Sequence, residues 1–134
     1  MLFRSLGVEQ MVHKPQMPNS LNADYGAWRT WFDKVVEFCG PAVILVGHSL
    51  GGSFLLRYLS EEQCGFSVRQ LHLVAAPVEE GEENLGCGEF APSVENLFRI
   101  SEKVSDVFVY HSRDDDVVPF WHGERLAEIG RAHV

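Results

Sequence analysis

Cysteine is scarce in this chain: Cys39, Cys64 and Cys87 are odd in number, far apart and form no Cys-x-x-Cys pair. That spacing sets aside a disulfide framework and a zinc site, and reduced thiols in a cytoplasmic protein are expected. Positive charge is also short, with 11 Lys and Arg against 19 Asp and Glu and a formal net charge of -8. No basic stripe breaks this balance, so a nucleic-acid partner is not expected. No apolar stretch approaches the ~18–20 residues of a membrane-crossing helix. The first six residues lack the apolar run of a secretory leader. Neither a membrane partner nor an export route is therefore expected, and the oligomeric state is left open. Internal repeats, low-complexity linkers and composition breaks are absent as well. What remains is ordinary globular material, 46% hydrophobic and 22% charged over 134 residues, read as a single domain spanning 1–134.

Strand-like and helix-like segments take turns along it. Val8 to His13 reads as a short strand, followed by a turn-rich segment containing Met17-Pro18-Asn19. Asp24 stands as the N-cap of a helix whose Trp28, Trp31, Phe32, Val35 and Val36 are placed on one face, and Gly40-Pro41 stops it. Ala42 to Val46 is a continuous apolar run, expected of a strand buried on both faces. A helix follows through Phe54, Leu55, Tyr58 and Leu59, then a strand from Val68 to Ala76. Pro77 to Pro92 reads as a loop in the position of a lid, Ser93 to Glu102 as a helix and Val107 to Tyr110 as a strand. Pro119 opens a last helix containing Trp121, Leu126 and Ala127. Such alternation predicts an α/β fold, a mostly parallel sheet layered between helices, and four strands leave it incomplete at both ends.

Gly47-His48-Ser49-Leu50-Gly51 is a G-x-S-x-G element between a buried strand and a helix, the context a nucleophile elbow demands. A sharp turn there would present the Ser49 hydroxyl at the carboxyl edge of the sheet, near the positive end of the following helix. Gly47 and Gly51 are expected to be small because side chains would collide with the adjacent strand and helix, and Gly52 adds room. The Leu50 amide is the expected oxyanion donor. His48 is expected to pack or line the pocket.

A serine needs a base, and the base a carboxylate that fixes its tautomer. Downstream, the loop after Tyr110 reads His111-Ser112-Arg113-Asp114-Asp115-Asp116-Val117-Val118-Pro119. An acid just beyond a strand's carboxyl end is well placed for the triad, and Asp115 is favoured over Asp114 and Asp116. The bland alternative is a solvated acidic turn. Three consecutive carboxylates do not converge naturally, so no metal site is assigned.

With these residues in place, the chain resembles the small α/β-hydrolases of the serine hydrolase family, which includes YdeN-like proteins and retinoblastoma-binding protein nine. The resemblance rests on Met17-Pro18-Asn19 with the Trp-containing helix, on Val46 to Gly51, and on Ser112 to Phe120. It implies that Asp115, in an Asp-x-x-Val-Pro pattern, carries the catalytic acid. It also implies an earlier strand ending in a His-Gly loop and a later Gly-His turn carrying the triad histidine, neither of which is found here. His122 is expected to face solvent or cap its helix, and His133 to have no strand to hold it. Residues 128–134 stand as a candidate non-native tail.

Two functions follow as expectations. One is a serine hydrolase cleaving a carboxylic ester or related acyl bond of a small substrate, without a metal or organic cofactor, its triad histidine missing from this chain. Thioester and amide substrates stay open, and the fragment itself is expected to be inactive. The other is a non-catalytic hydrolase-fold binding module, which an intact Ser49 elbow weighs against. Cys87 is expected to be a bland loop thiol. Apolar faces and strand edges are expected to lie uncovered.

Overall fold

In the computed structural model, the described residues are 2–5, 8–79, 87–129 and 132–133, with side chains described for 11–79 and 87–129. They fall into two compact units, 1–39 and 40–134.

The first unit opens on a hairpin. Strand β1 (Leu2–Ser5) pairs antiparallel with β2 (Val8–Met11), with Leu2 opposite Met11 and Ser5 opposite Val8. The expected strand at Val8 thus exists but ends two residues earlier, in a hairpin rather than a parallel sheet. Helix α1 (Tyr25–Val36) starts where expected: the Asp24 carboxylate accepts the Ala27 amide at 2.7 Å, satisfying one of the first-turn donors. Trp28 donates its indole N–H to the Pro18 carbonyl at 2.8 Å, which ties the Met-Pro-Asn segment to the helix. Tyr25, Trp28 and Phe32 are buried at i, i+3 and i+7, but Trp31 is 47% exposed. Trp31 stands about 60° around the helix from Trp28 and about 100° from Phe32, on the rim of the buried face, so the one-face reading of the two tryptophans is corrected.

The second unit is built on a four-stranded parallel sheet in the order β3 (Ala42–His48), β4 (Ser67–Val74), β5 (Val104–Tyr110), β6 (Ala132–His133). Between the strands run helices α2 (Leu50–Glu61), α3 (Phe98–Lys103) and α4 (Trp121–Ala127). Helix α2 packs on β3 and α3, and α4 packs on β5 and β6. The core gathers on one sheet face from Val43, Leu45, Leu71, Leu73, Val107 and Val109, against Leu55, Leu56, Leu59 and Ile100.

Three expectations change here. The apolar run of β3 alternates in burial instead of being covered on both sides, with Ile44 at 42% and Val46 at 66% exposure. Within this sheet β3 is an edge strand, and it exposes apolar side chains on one face. The helix read from Ser93 to Glu102 is broken into a 3-10 turn at Val94–Asn96 and α3. Finally, His133 does have a strand to hold it, since it pairs beside Phe108. That register sets it near the middle of β5, not at the carboxyl edge where catalytic loops leave. Of the expected lid, Pro77 to Pro92, residues 80–86 lie outside the described residues.

Candidate active site

The strand order decides which loops meet. Ser49 follows β3 and the acidic loop follows β5, with β4 between them. Two interstrand spacings, about 9.6 Å, therefore separate the strand ends from which the hydroxyl and the acid project. Backbone bonds lock the three exits in sequence: the Ser49 amide donates to the Val74 carbonyl and the Ala75 amide to the Tyr110 carbonyl, each at 2.9 Å.

Ser49 sits at φ 52°, ψ −124°, outside the allowed regions for an L-residue. Such a conformation costs on the order of 1–3 kcal/mol and persists only where the surroundings over-determine it. Here the Val74 bond fixes one side, and the Ser49 carbonyl, accepting from the Gly52 and Ser53 amides at 2.9 and 3.2 Å, fixes the other. The turn is tight enough that a Cβ on Gly47 would lie 2.7–2.8 Å from backbone atoms of Gly51 and Gly52. A Cβ on Gly52 would lie 2.4 Å from the Ala76 Cβ. A Cβ on Gly51 would meet nothing within 4 Å. The demand for glycine therefore falls on Gly47 and Gly52, and the collision expected at Gly51 is corrected: the second glycine of the motif faces open space, and the third makes the close approach.

Leu50 begins the 12-residue α2, whose first amides have no acceptor within the helix and carry its partial positive charge. These groups stand beside the Ser49 hydroxyl, which hydrogen-bonds no imidazole among the described residues.

Among the three aspartates, the structure separates roles. Asp114 accepts a hydrogen bond from the Ser112 hydroxyl and is exposed, which holds its carboxyl below the usual range. Asp116 is exposed. Asp115 is partly buried, and its Oδ1 accepts both the Val117 and Val118 amides, at 2.9 and 2.8 Å. Those two amides, first Val118 and then Val117, depress its pKa, assisted by the nearby rings of His111 and His48. One carboxylate oxygen is thus committed to holding the loop, and Oδ2 is left as the oxygen that can orient a base.

His48 is exposed and within electrostatic reach of Asp115, so it does not pack in the core. Two histidines to which the sequence reading gave no part in the site lie against the acid loop. The His111 side chain is fully buried, with Nε2 2.6 Å from the Val118 carbonyl and 3.7 Å from Asp115 Oδ2. His122 is fully buried, not solvent-facing or capping as expected: its Nδ1 accepts the Val78 amide at 3.1 Å. The reason is helical geometry, since His122 and Leu126 stand four residues apart on the buried face of α4. That spacing was the available signal. Cys87 is buried and unoxidised, an inert position for a nucleophile. Among the described residues, no group of three potential metal ligands is clustered, and no helix is long and apolar enough to cross a membrane.

A structure from B. subtilis, the ydeN gene product, superposes with a TM-score of 0.72 at 25% identity, over 88% of this chain and 64% of that one. The esterase domain of a Rhodothermus marinus protein matches at 0.56 and 19%, over 83% of this chain and 56% of that one. The meta-cleavage product hydrolase of Pseudomonas fluorescens IP01 matches at 0.54 and 16%, over 88% and 64%. The last two establish likeness of fold alone. This chain spans less than two thirds of the length of each of these proteins. No curated protein sequence matches it significantly. The serine hydrolase family model, however, matches residues 1–134. A parallel sheet with flanking helices, a strained serine at its carboxyl edge and a family match over the whole length lead to one conclusion: the chain belongs to the serine hydrolase family of α/β-hydrolases.

Proposed function

We propose that the protein hydrolyses a carboxylic ester or related acyl bond of a small substrate, with Ser49 as nucleophile and Asp115 as the acid that orients the base. The observation that supports this most directly is the backbone of Ser49, held at φ 52° between two hydrogen-bonded neighbours and at the head of α2. In the first half-reaction the Ser49 oxygen would attack the acyl carbon while an imidazole takes its proton. The Leu50 amide would donate to the developing oxyanion. The imidazole proton would then pass to the leaving alcohol, and water would release the acid by the same route in reverse.

The two buried imidazoles are unsuited to the base, because each has one nitrogen already bonded to backbone beneath the loop. The reading accordingly assigns the base to a histidine beyond the 134 residues, consistent with a chain that spans 64% of the ydeN product. Loss of a triad histidine costs several orders of magnitude in rate, so this chain alone is expected to turn over slowly.

The test is labelling of the full-length protein by a fluorophosphonate probe, with Ser49→Ala as control. Labelling that disappears in the variant supports the hydrolase. A folded full-length protein that does not label would instead favour a hydrolase-fold binding module.

A further inference from the structure

Two buried imidazoles beneath the acid loop are left half-satisfied in a complementary way. His111 Nε2 lies 2.6 Å from the Val118 carbonyl. A carbonyl can only accept, so Nε2 carries the proton and, in a neutral ring, Nδ1 is a bare lone pair. His122 Nδ1 lies 3.1 Å from the Val78 amide. An amide N–H can only donate, so this Nδ1 is the lone pair and His122 Nε2 carries the proton. The two remaining atoms, His111 Nδ1 and His122 Nε2, are both buried and have no hydrogen-bond partner among the described residues. One is an acceptor and the other a donor.

The segments that carry the two rings are packed together. A Cβ placed on Gly123, the residue after His122, would lie 2.8 Å from the His111 Cβ and 3.1 Å from its Nδ1. The absence of a side chain at Gly123 is therefore what lets α4 approach the His111 ring. Burial, and after it the repulsion that a charged His111 ring would exert, holds His122 below its usual pKa.

We infer that His122 Nε2–H and His111 Nδ1 are joined, by a small ring rotation or a single bridging water, into a buried neutral pair that sets the position of the acid. The pair completes a continuous polar path. It starts on α2, where Ser53, four residues after the nucleophile, donates its hydroxyl to the Pro77 carbonyl at 2.6 Å. The next amide, Val78, donates to His122. From His122 the path crosses to His111, whose Nε2–H holds the Val118 carbonyl and faces Asp115 Oδ2 at 3.7 Å. Nucleophile helix and acid loop are thus referenced to one another from below the sheet edge. His111 and His122 are positioning residues, and their catalytic consequence rests on the reading of Asp115 as the triad acid.

The test begins with histidine nitrogens, which report tautomer without reference to activity. In the full chain labelled with 15N-histidine, both rings should be neutral Nε2–H tautomers at pH 7. His122→Phe should shift the His111 Nδ1 resonance toward that of an unbonded lone pair and leave its Nε2 resonance in place. An Nδ1–H tautomer or a charged ring at either position in the native protein would overturn the pair, as would an unmoved His111 Nδ1 in a folded variant. In the full-length enzyme, His122→Phe should lower kcat for an ester about tenfold with KM within about twofold, and His122→Gln, which restores a donor, should recover most of it. Correct tautomers in a protein that does not label with fluorophosphonate would sink the hydrolase reading while leaving the histidine pair standing.

Discussion

Alanine substitution at the three glycines around Ser49 should give three different results, although the motif alone ranks Gly47 and Gly51 together. At Gly51 the new methyl meets nothing within 4 Å, and the residue lies in the first turn of α2. Alanine there should be neutral or stabilising, by up to about 1 kcal/mol from helix propensity. At Gly52 the same gain is opposed by a methyl 2.4 Å from the Ala76 Cβ, where ordinary contact is near 3.5–4 Å. Overpacking of that kind costs about 1–3 kcal/mol, so Gly52→Ala should be destabilised by about 1–2 kcal/mol. Gly47→Ala drives its methyl into backbone atoms at 2.7 and 2.8 Å, which cannot rotate away. Its cost should reach about 3 kcal/mol, the upper part of the same range. Urea unfolding followed by far-UV circular dichroism would order the three, and at this chain length 1 kcal/mol corresponds to about 4 °C in Tm. Gly51→Ala as unstable as Gly52→Ala would refute the reasoning, because no contact in the structure could account for it.

The acid, the buried histidine and the first helix each carry a further expectation. Asp115→Asn keeps an oxygen for the Val117 and Val118 amides but loses the charge. Ester hydrolysis by the full-length enzyme should therefore fall about 10⁴-fold with an unchanged circular dichroism spectrum, and a loss under tenfold would remove Asp115 from the triad. Because burial lowers the His122 pKa in the folded state, the unfolded chain binds a proton first as pH drops. Stability should thus be full above about pH 6.5 and decline from there toward the lower folded pKa. Melting temperatures between pH 7.5 and 5.5 should show a smaller decline in His122→Phe than in the native protein, and equal declines would show that His122 is not the group responsible. Asp24→Ala removes the cap on the Ala27 amide and should cost about 1 kcal/mol in α1, checked by amide hydrogen exchange at Tyr25 to Trp28.

Much of this was legible from patterns one element long. The cap at Asp24, the buried face of α2 from Phe54 to Leu59 and the strand before Ser49 all follow from local periodicity and turn chemistry. What was not legible depends on neighbours distant in sequence. Ile44 and Val46 read as buried because the run is apolar, but burial needs a covering element, and β3 here is an edge strand with those side chains exposed. Gly51 and Gly52 are indistinguishable as letters, and only the approach of Ala76, 24 residues on from Gly52, tells which one must lack a side chain. His122 reads as facing solvent or capping its helix, but its partner, the Val78 amide, comes from another loop and is invisible to a local pattern. The resemblance singled out Asp115 by its place before Pro119, whereas the physical difference between Asp115 and its neighbours is its two backbone amides, which no composition reveals.

If Ser49 is the nucleophile proposed above, residue 49 is a position where folding and chemistry ask for different amino acids. At φ 52°, ψ −124°, the residue that suits the backbone best is glycine, which enters positive φ without the steric penalty that a Cβ brings. Ser49→Gly should consequently raise the unfolding midpoint while abolishing probe labelling, a variant more robust than its parent and chemically silent. Screens that select this chain for solubility or heat resistance alone would drift toward that substitution. Only a selection that also reads the hydroxyl can hold the serine in place.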